Sequence, residues 1–68
     1  MSDPAYKKIE VVGTSTESFA RACANGVAKA AKTLHGLNWF EVTEMRGRIT
    51  NGKIDQYQVS LKIGMKLD

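Results

Sequence analysis

The chain has 68 residues and a mass of 7.5 kDa, which allows one small domain that buries only about 60% of its unfolded surface. A single cysteine excludes an internal disulfide and a single histidine argues against a structural metal site, so we expect self-association to supply the missing stability. The net charge of +3 favours anionic partners, and because no apolar segment could span a membrane or serve as a signal peptide, we expect a cytoplasmic protein.

The predicted elements form one domain over residues 1–68. Residues 5–12 have the β-branched and aromatic bias of a first strand. Residues 14–17, Thr-Ser-Thr-Glu, match a capping box, so we expect a helix over 16–34. Apolar residues at spacings of three and four predict the helix face that packs on a sheet. These residues are Phe19, Cys23, Val27, Ala30 and Leu34.

Two further strands, over residues 38–50 and 53–67, flank Asn51-Gly52, a pair that strongly favours a two-residue hairpin turn. A turn at 51 and 52 makes the numbers of opposing residues sum to 103. This register predicts a core face on which apolar residues oppose one another and a second face that is half polar. Phe40 and Val42 with Ile63 and Leu61 form the core face, whereas Trp39 opposite Gly64 and Met45 opposite Gln58 lie on the second face.

The predicted fold class is therefore α+β, with a βαββ subunit in which one helix packs on one face of a three-stranded antiparallel sheet. Trp39 lies on the face away from the helix, and two interpretations of it remain open. It could anchor an interface between subunits, where tryptophan is enriched. Alternatively, its indole could be a stacking surface for a planar aromatic ligand, with Gly64 leaving room beside it.

Three segments resemble the dodecin family: YKKIEVVGTSTESF, TLHGLNWFEVTEMRG and GKIDQYQVSLKIG. The resemblance covers residues 5–67 and includes GTS, WFEV, RG and YQV in order. It implies a hollow homododecamer of βαββ subunits that binds flavins, stores or sequesters them, and has no catalytic turnover. Tryptophan in that family stacks on the isoalloxazine and quenches its photochemistry, and Trp39 matches that position. A glutamine that binds the polar edge of the ring matches Gln58.

The resemblance also implies that Arg46 and Lys66 contact the ligand, because basic residues are common at these positions. FMN is the expected cofactor, with riboflavin as the other flavin, and coenzyme A is a second ligand of bacterial relatives. Met65 departs from the family, where an aromatic residue is common. Gln58 lies six residues along from Trp39 in the predicted register, about 20 Å, so we expect each flavin to contact Trp39 and Gln58 from different subunits.

The remaining side chains that could react or bind a metal predict neither an enzyme nor a metal site. Cys23 is expected to be a reduced core residue, and His35 to interact with the helix C-terminus. No nucleophile with a partnered base and no glycine-rich phosphate loop is present in the sequence. The alternative function is that of a structural or nucleic-acid-binding basic oligomer without flavin. Its binding to a nucleic acid would weaken steeply with salt concentration.

Overall fold

A computed structural model describes residues 3–68. Strand β1 (Tyr6–Ser15) is followed by helix α1 (Phe19–Ala31) and by strands β2 (Leu37–Thr50) and β3 (Lys53–Lys66). The three strands form one antiparallel sheet in the order β1-β3-β2, and the helix packs on one face of it. The predicted βαββ fold with a single sheet and helix is confirmed.

The predicted helix start is wrong. Strand β1 continues to Ser15, because Thr14 and Ser15 pair with Gln58 and Tyr57 of β3. The Ser15 hydroxyl then accepts hydrogen bonds from the backbone of the next turn, and the N-cap is Ser18, whose hydroxyl accepts from the Arg21 amide at 3.0 Å. The Ser15 hydroxyl of the predicted capping box therefore stabilises the turn after β1 and does not cap the helix.

The predicted helix end is also too late. Lys32 caps the C-terminus, and the amides of Thr33 and Leu34 bond to the Ala30 carbonyl in a closing turn. Gly36, with φ of 74°, then leads the chain into β2. The first and last strands also differ from their predicted bounds of 5–12 and 53–67.

The helix lies over β1 and β3 because two glycines allow a close approach. A Cβ at Gly13 would collide with the Ala22 carbonyl oxygen, and a Cβ at Gly26 would crowd the Gly13 backbone. The helix residues buried in this contact are Ala22, Gly26 and Ala30. Ala30 belongs to the predicted stripe, and the other four members of the stripe are partly buried and pack against the core. Small side chains thus form the centre of the contact.

The hydrophobic core lies between this helix and the central strand β3. Val59, Leu61 and Ile63 are at most 2% exposed. Their β2 neighbours on the same face, Phe40 and Val42, are 52% and 45% exposed, because the helix packs mainly on β1 and β3. The prediction that these two residues would be covered by the helix stripe is wrong.

The hairpin turn is formed as predicted, with positive φ at Asn51 and Gly52. The predicted register holds next to the turn and again from Trp39 to Val42, but it is wrong between these segments. Thr43 is an extra residue in β2, so Met45 pairs with Val59 and Arg46 with Gln58. Asp55, an extra residue in β3, restores the register before the turn. Met45 therefore lies on the helix side of the sheet.

Candidate functional site

The face of the sheet opposite the helix, here called the outer face, carries Trp39 at one end. Trp39 pairs with Gly64 of the central strand, as predicted. A Cβ at Gly64 would overlap the ring atoms Cη2, Cζ2 and Cζ3 of Trp39 equally, so the six-membered ring of the indole lies across the Gly64 backbone. The side chain remains 40% exposed. This geometry presents an aromatic surface held against the sheet and accessible from outside.

Tyr6 is a residue at this end that the sequence analysis missed. Its ring contacts the indole of Trp39 with a centroid distance of 4.9 Å and an interplanar angle of 72°, a favourable edge-type arrangement. Tyr6 pairs with Lys66, which places that predicted site residue beside the two aromatic rings. We call Tyr6, Trp39, Gly64 and Lys66 the aromatic end of the outer face.

Arg46 and Gln58 form a second cluster on the outer face, which we call the polar end. They are direct neighbours across β2 and β3 because of the extra residue Thr43, whose hydroxyl donates to the Ser60 carbonyl oxygen at 3.2 Å. Gln58 Nε2 donates to Gln56 Oε1 at 2.8 Å, which leaves its second N–H and its carbonyl oxygen for other partners. The bulge thus brings together two predicted site residues.

Arg46 is held near its own strand by an acidic neighbour. Its Nη2 lies 3.3 Å from Glu44 Oε1, and the Glu44 carboxylate is also within 3.5 Å of the Ser60 hydroxyl. Both side chains of the ion pair are more than half exposed, so the pair contributes little stability. Arg46 therefore keeps guanidinium donors that can bind an anion.

The two ends are separated along the central strand. Gly64 and Gln58 are six residues apart in β3, or about 20 Å at the rise of an extended strand. The space between them is occupied by mixed charges, including an ion pair between Lys8 and Glu41. The hydrogen bond from Lys8, its positive charge and that of Lys62 hold the pKa of Glu41 below its ordinary value. The structure does not bring all four predicted residues into one site on one chain.

The cysteine, the histidine and several acidic side chains lie outside these two ends. No cluster of three His, Cys, Asp or Glu side chains in residues 3–68 could hold a metal ion. Cys23 is a free, half-buried residue of the helix, and His35 is exposed after the helix end. Within the same residues, no helix is long and apolar enough to cross a membrane.

Comparison with known proteins identifies the family. The profile of the family described as Dodecin matches residues 5–68. The chain belongs to the dodecin family. A curated dodecin from Thermus thermophilus is 48% identical over 63 residues, which cover 93% of this chain and 91% of that protein.

Solved dodecin structures also match nearly the whole fold. A dodecin from Streptomyces davaonensis has a TM-score of 0.93 and 45% identity, and the match covers 98% of both chains. A dodecin from Streptomyces coelicolor has a TM-score of 0.93 and 46% identity, covering 100% of this chain and 97% of the other. The resemblance of the sequence to dodecins is confirmed, and membership supports a small oligomeric flavin-binding protein in general.

Proposed function

We propose that this dodecin is the subunit of a hollow homododecamer that binds FMN or riboflavin in the cytoplasm, stores the flavin and quenches its photochemistry. The observation that most supports flavin binding is the position of the Trp39 indole, which rests on the Gly64 backbone while the residue is 40% exposed. An isoalloxazine is a planar aromatic ring system, and such ring systems favour offset stacking on an aromatic face. Dodecins are not known as an enzyme family, and we propose no catalytic turnover.

The flavin is proposed to bind between subunits. The aromatic end supplies the stacking surface, and Gln58 at the polar end can both donate to and accept from the polar edge of the ring. One chain holds these ends about 20 Å apart, which exceeds the length of a flavin ring system. Each flavin would therefore contact Trp39 of one subunit and Gln58 of a neighbour.

FMN is the proposed preferred flavin because it has a phosphate and the chain is basic. Arg46 and Lys66 are exposed cations at the two ends of the outer face, and either can bind a phosphate group. Titrations with FMN and with riboflavin, which lacks the phosphate, test this preference, and FMN should bind more tightly. Binding of coenzyme A, the second expected ligand, stays a prediction.

A nucleic-acid-binding oligomer fits the outer face less well. Its cations alternate with carboxylates, in pairs such as Lys8 with Glu41 and Arg46 with Glu44, instead of forming a continuous basic surface. Salt separates the two functions, since binding to a phosphate backbone falls steeply with ionic strength. Riboflavin stacking should change little under the same conditions.

Replacement of the indole is the direct test. Trp39→Ala should abolish flavin binding, because it removes the stacking surface, while the assembly keeps its size. Quenching of added flavin fluorescence measures binding, and light scattering after gel filtration measures the assembly. If the variant dissociates into smaller species, Trp39 is an interface anchor. If it binds flavin with the affinity of the wild type, the proposed site is wrong.

Replacement of the amide tests the polar end separately. Gln58→Ala should weaken flavin binding by about 1–3 kcal/mol, the usual effect of removing one partner of a buried hydrogen bond. Gln56→Ala, two residues away on the same strand and face, is the matched control and should have a smaller effect. Equal affinities of Gln58→Ala and the wild type would remove Gln58 from the site.

A further inference from the structure

Two oxidisable side chains are in direct contact at the aromatic end. The rings of Tyr6 and Trp39 have a centroid distance of 4.9 Å and an interplanar angle of 72°. The contact crosses the sheet, because Tyr6 is on β1, Trp39 is on β2, and the indole lies over Gly64 of the strand between them. Rings in direct contact need no intermediate group for the transfer of an electron.

The indole and the phenol differ in the charge that they carry after oxidation. An indole that loses one electron becomes a radical cation, whereas a phenol also loses its proton and becomes a neutral phenoxyl radical. Tyr6 is 41% exposed, so water can accept that proton.

The charges around the two rings favour the neutral radical. Lys66 lies opposite Tyr6 and takes part in no ion pair within residues 3–68. Its positive charge disfavours a second positive charge on the nearby indole. Glu41, two residues along β2 from Trp39, is neutralised by its ion pair with Lys8. Oxidation is therefore better accommodated at Tyr6 than at Trp39.

We propose that Tyr6 and Trp39 form a redox pair in which Tyr6 repairs an oxidised indole. After Trp39 has lost one electron to an acceptor, one electron passes from Tyr6 to the indole radical cation and the phenolic proton passes to water. The indole is restored, and Tyr6 holds a neutral phenoxyl radical. Tyr6 returns to its starting state when it regains one electron from the reduced acceptor and one proton from water, so no substance is consumed.

The role of the redox pair rests on the proposed function, which supplies the electron acceptor. A light-excited flavin is a one-electron oxidant, and the exposed indole of Trp39 is its proposed stacking surface. An indole radical that persists can react with dioxygen, and the tryptophan is then lost irreversibly. Reduction by Tyr6 shortens the life of that radical and so protects the flavin site during repeated illumination.

Tyr57 provides the matched control. The chain has one tryptophan and two tyrosines, so an indole radical forms only at Trp39 and a phenoxyl radical only at Tyr6 or Tyr57. Tyr57 makes a similar edge-type contact, with a centroid distance of 4.9 Å and an angle of 75°, but its partner is Phe19 and it packs against the core on the helix side of the sheet. Tyr57→Phe therefore makes the same chemical change away from the indole.

Pulse radiolysis of the whole assembly without flavin tests the redox pair directly. Azide radicals made by the pulse take one electron from the indole, and the absorption of the indole and phenoxyl radicals is followed in time. In the wild type and in Tyr57→Phe, the indole radical should decay as a phenoxyl radical appears, at a rate independent of protein concentration. In Tyr6→Phe, the delayed phenoxyl signal should be lost and the indole radical should persist several times longer.

Two results of the radiolysis experiment would overturn the proposal. One is an equal decay of the indole radical in the wild type and in Tyr6→Phe. The other is loss of the delayed phenoxyl signal in Tyr57→Phe instead of Tyr6→Phe. Because the experiment contains no flavin, a failure of the redox pair is distinguished from a failure of the proposed flavin binding, which fluorescence titration measures separately.

Illumination of riboflavin-loaded assemblies at equal flavin occupancy tests the protective role. Mass spectrometry measures the fraction of Trp39 that has gained oxygen. This damage should accumulate several times faster in Tyr6→Phe than in the wild type or in Tyr57→Phe. Equal rates of damage in all three proteins would exclude protection of Trp39 by Tyr6.

Discussion

Because Gly64 has no side chain, the indole of Trp39 can lie against the backbone of the central strand. Any Cβ there would overlap the ring of Trp39, so only glycine lets that ring rest against the central strand. This contact was predictable, because the hairpin turn alone places residues 39 and 64 opposite each other. The contribution of Tyr6 was not, because it depends on β3 lying between β1 and β2, and the turn carries no information about that order.

Tyr6 should position the indole for flavin binding. Tyr6→Ala removes an aromatic contact of about 0.5–1.5 kcal/mol, so flavin affinity should fall by about two- to tenfold through lost orientation of Trp39. Tyr6→Phe keeps the ring and serves as the control, with affinity close to that of the wild type. Flavin fluorescence titration measures both. Unchanged affinity in Tyr6→Ala would show that Trp39 needs no such support.

The long hairpin of β2 and β3 shows the limit of prediction at the level of elements. Its turn chemistry is explicit in Asn51-Gly52, but its two bulges have no comparable signal, since Thr43 and Asp55 are ordinary strand or turn residues. Each extra residue changes which side chains share a face. For this reason, sequence analysis placed Met45 instead of Arg46 opposite Gln58 and separated two residues that the structure joins.

The bulge at Asp55 should make hairpin stability dependent on pH. Hydrogen bonds from Arg48 at 2.9 Å and from Thr50 at 2.6 Å hold the pKa of Asp55 below its ordinary value. A carboxyl whose pKa is lower in the folded state stabilises the fold above its unfolded pKa, and this stabilisation is lost as pH falls through the folded pKa.

Asp55→Asn should therefore lower the urea midpoint at neutral pH, and its difference from the wild type should shrink as pH falls below the ordinary aspartate pKa of about 3.9. The measurement compares both proteins at one subunit concentration, because assembly affects apparent stability. A difference that stays constant with pH would exclude the Asp55 carboxylate as its cause.

The whole subunit is more extended than a compact domain of the same length. Its radius of gyration is 14.3 Å, compared with about 11 Å for a compact domain of this length. Its accessible surface of 5109 Å² also exceeds the roughly 4200 Å² typical of a folded monomer of this mass. Large apolar side chains that the helix leaves uncovered line the helix side of the hairpin. This apolar strip consists of Phe40, Val42, Met45, Ile49 and Ile54, which are 45–71% exposed.

The apolar strip is expected to be covered by further copies of the chain, and flavin binding should depend on that contact. Val42→Lys puts a charge in the strip, so burial against another subunit becomes costly and smaller species should form. Val12→Lys adds the same charge at a strand valine of similar exposure on the outer face and should leave the assembly size unchanged.

Light scattering gives the size of each species, and fluorescence titration gives its flavin affinity. The dissociated Val42→Lys subunits should fail to bind flavin at all, because no single chain brings Trp39 and Gln58 within reach of one ring. If Val42→Lys keeps the size of the wild type, the apolar strip is not the contact between subunits. If the dissociated subunits bind flavin as tightly as the wild type does, one chain suffices and the flavin is not shared between neighbours.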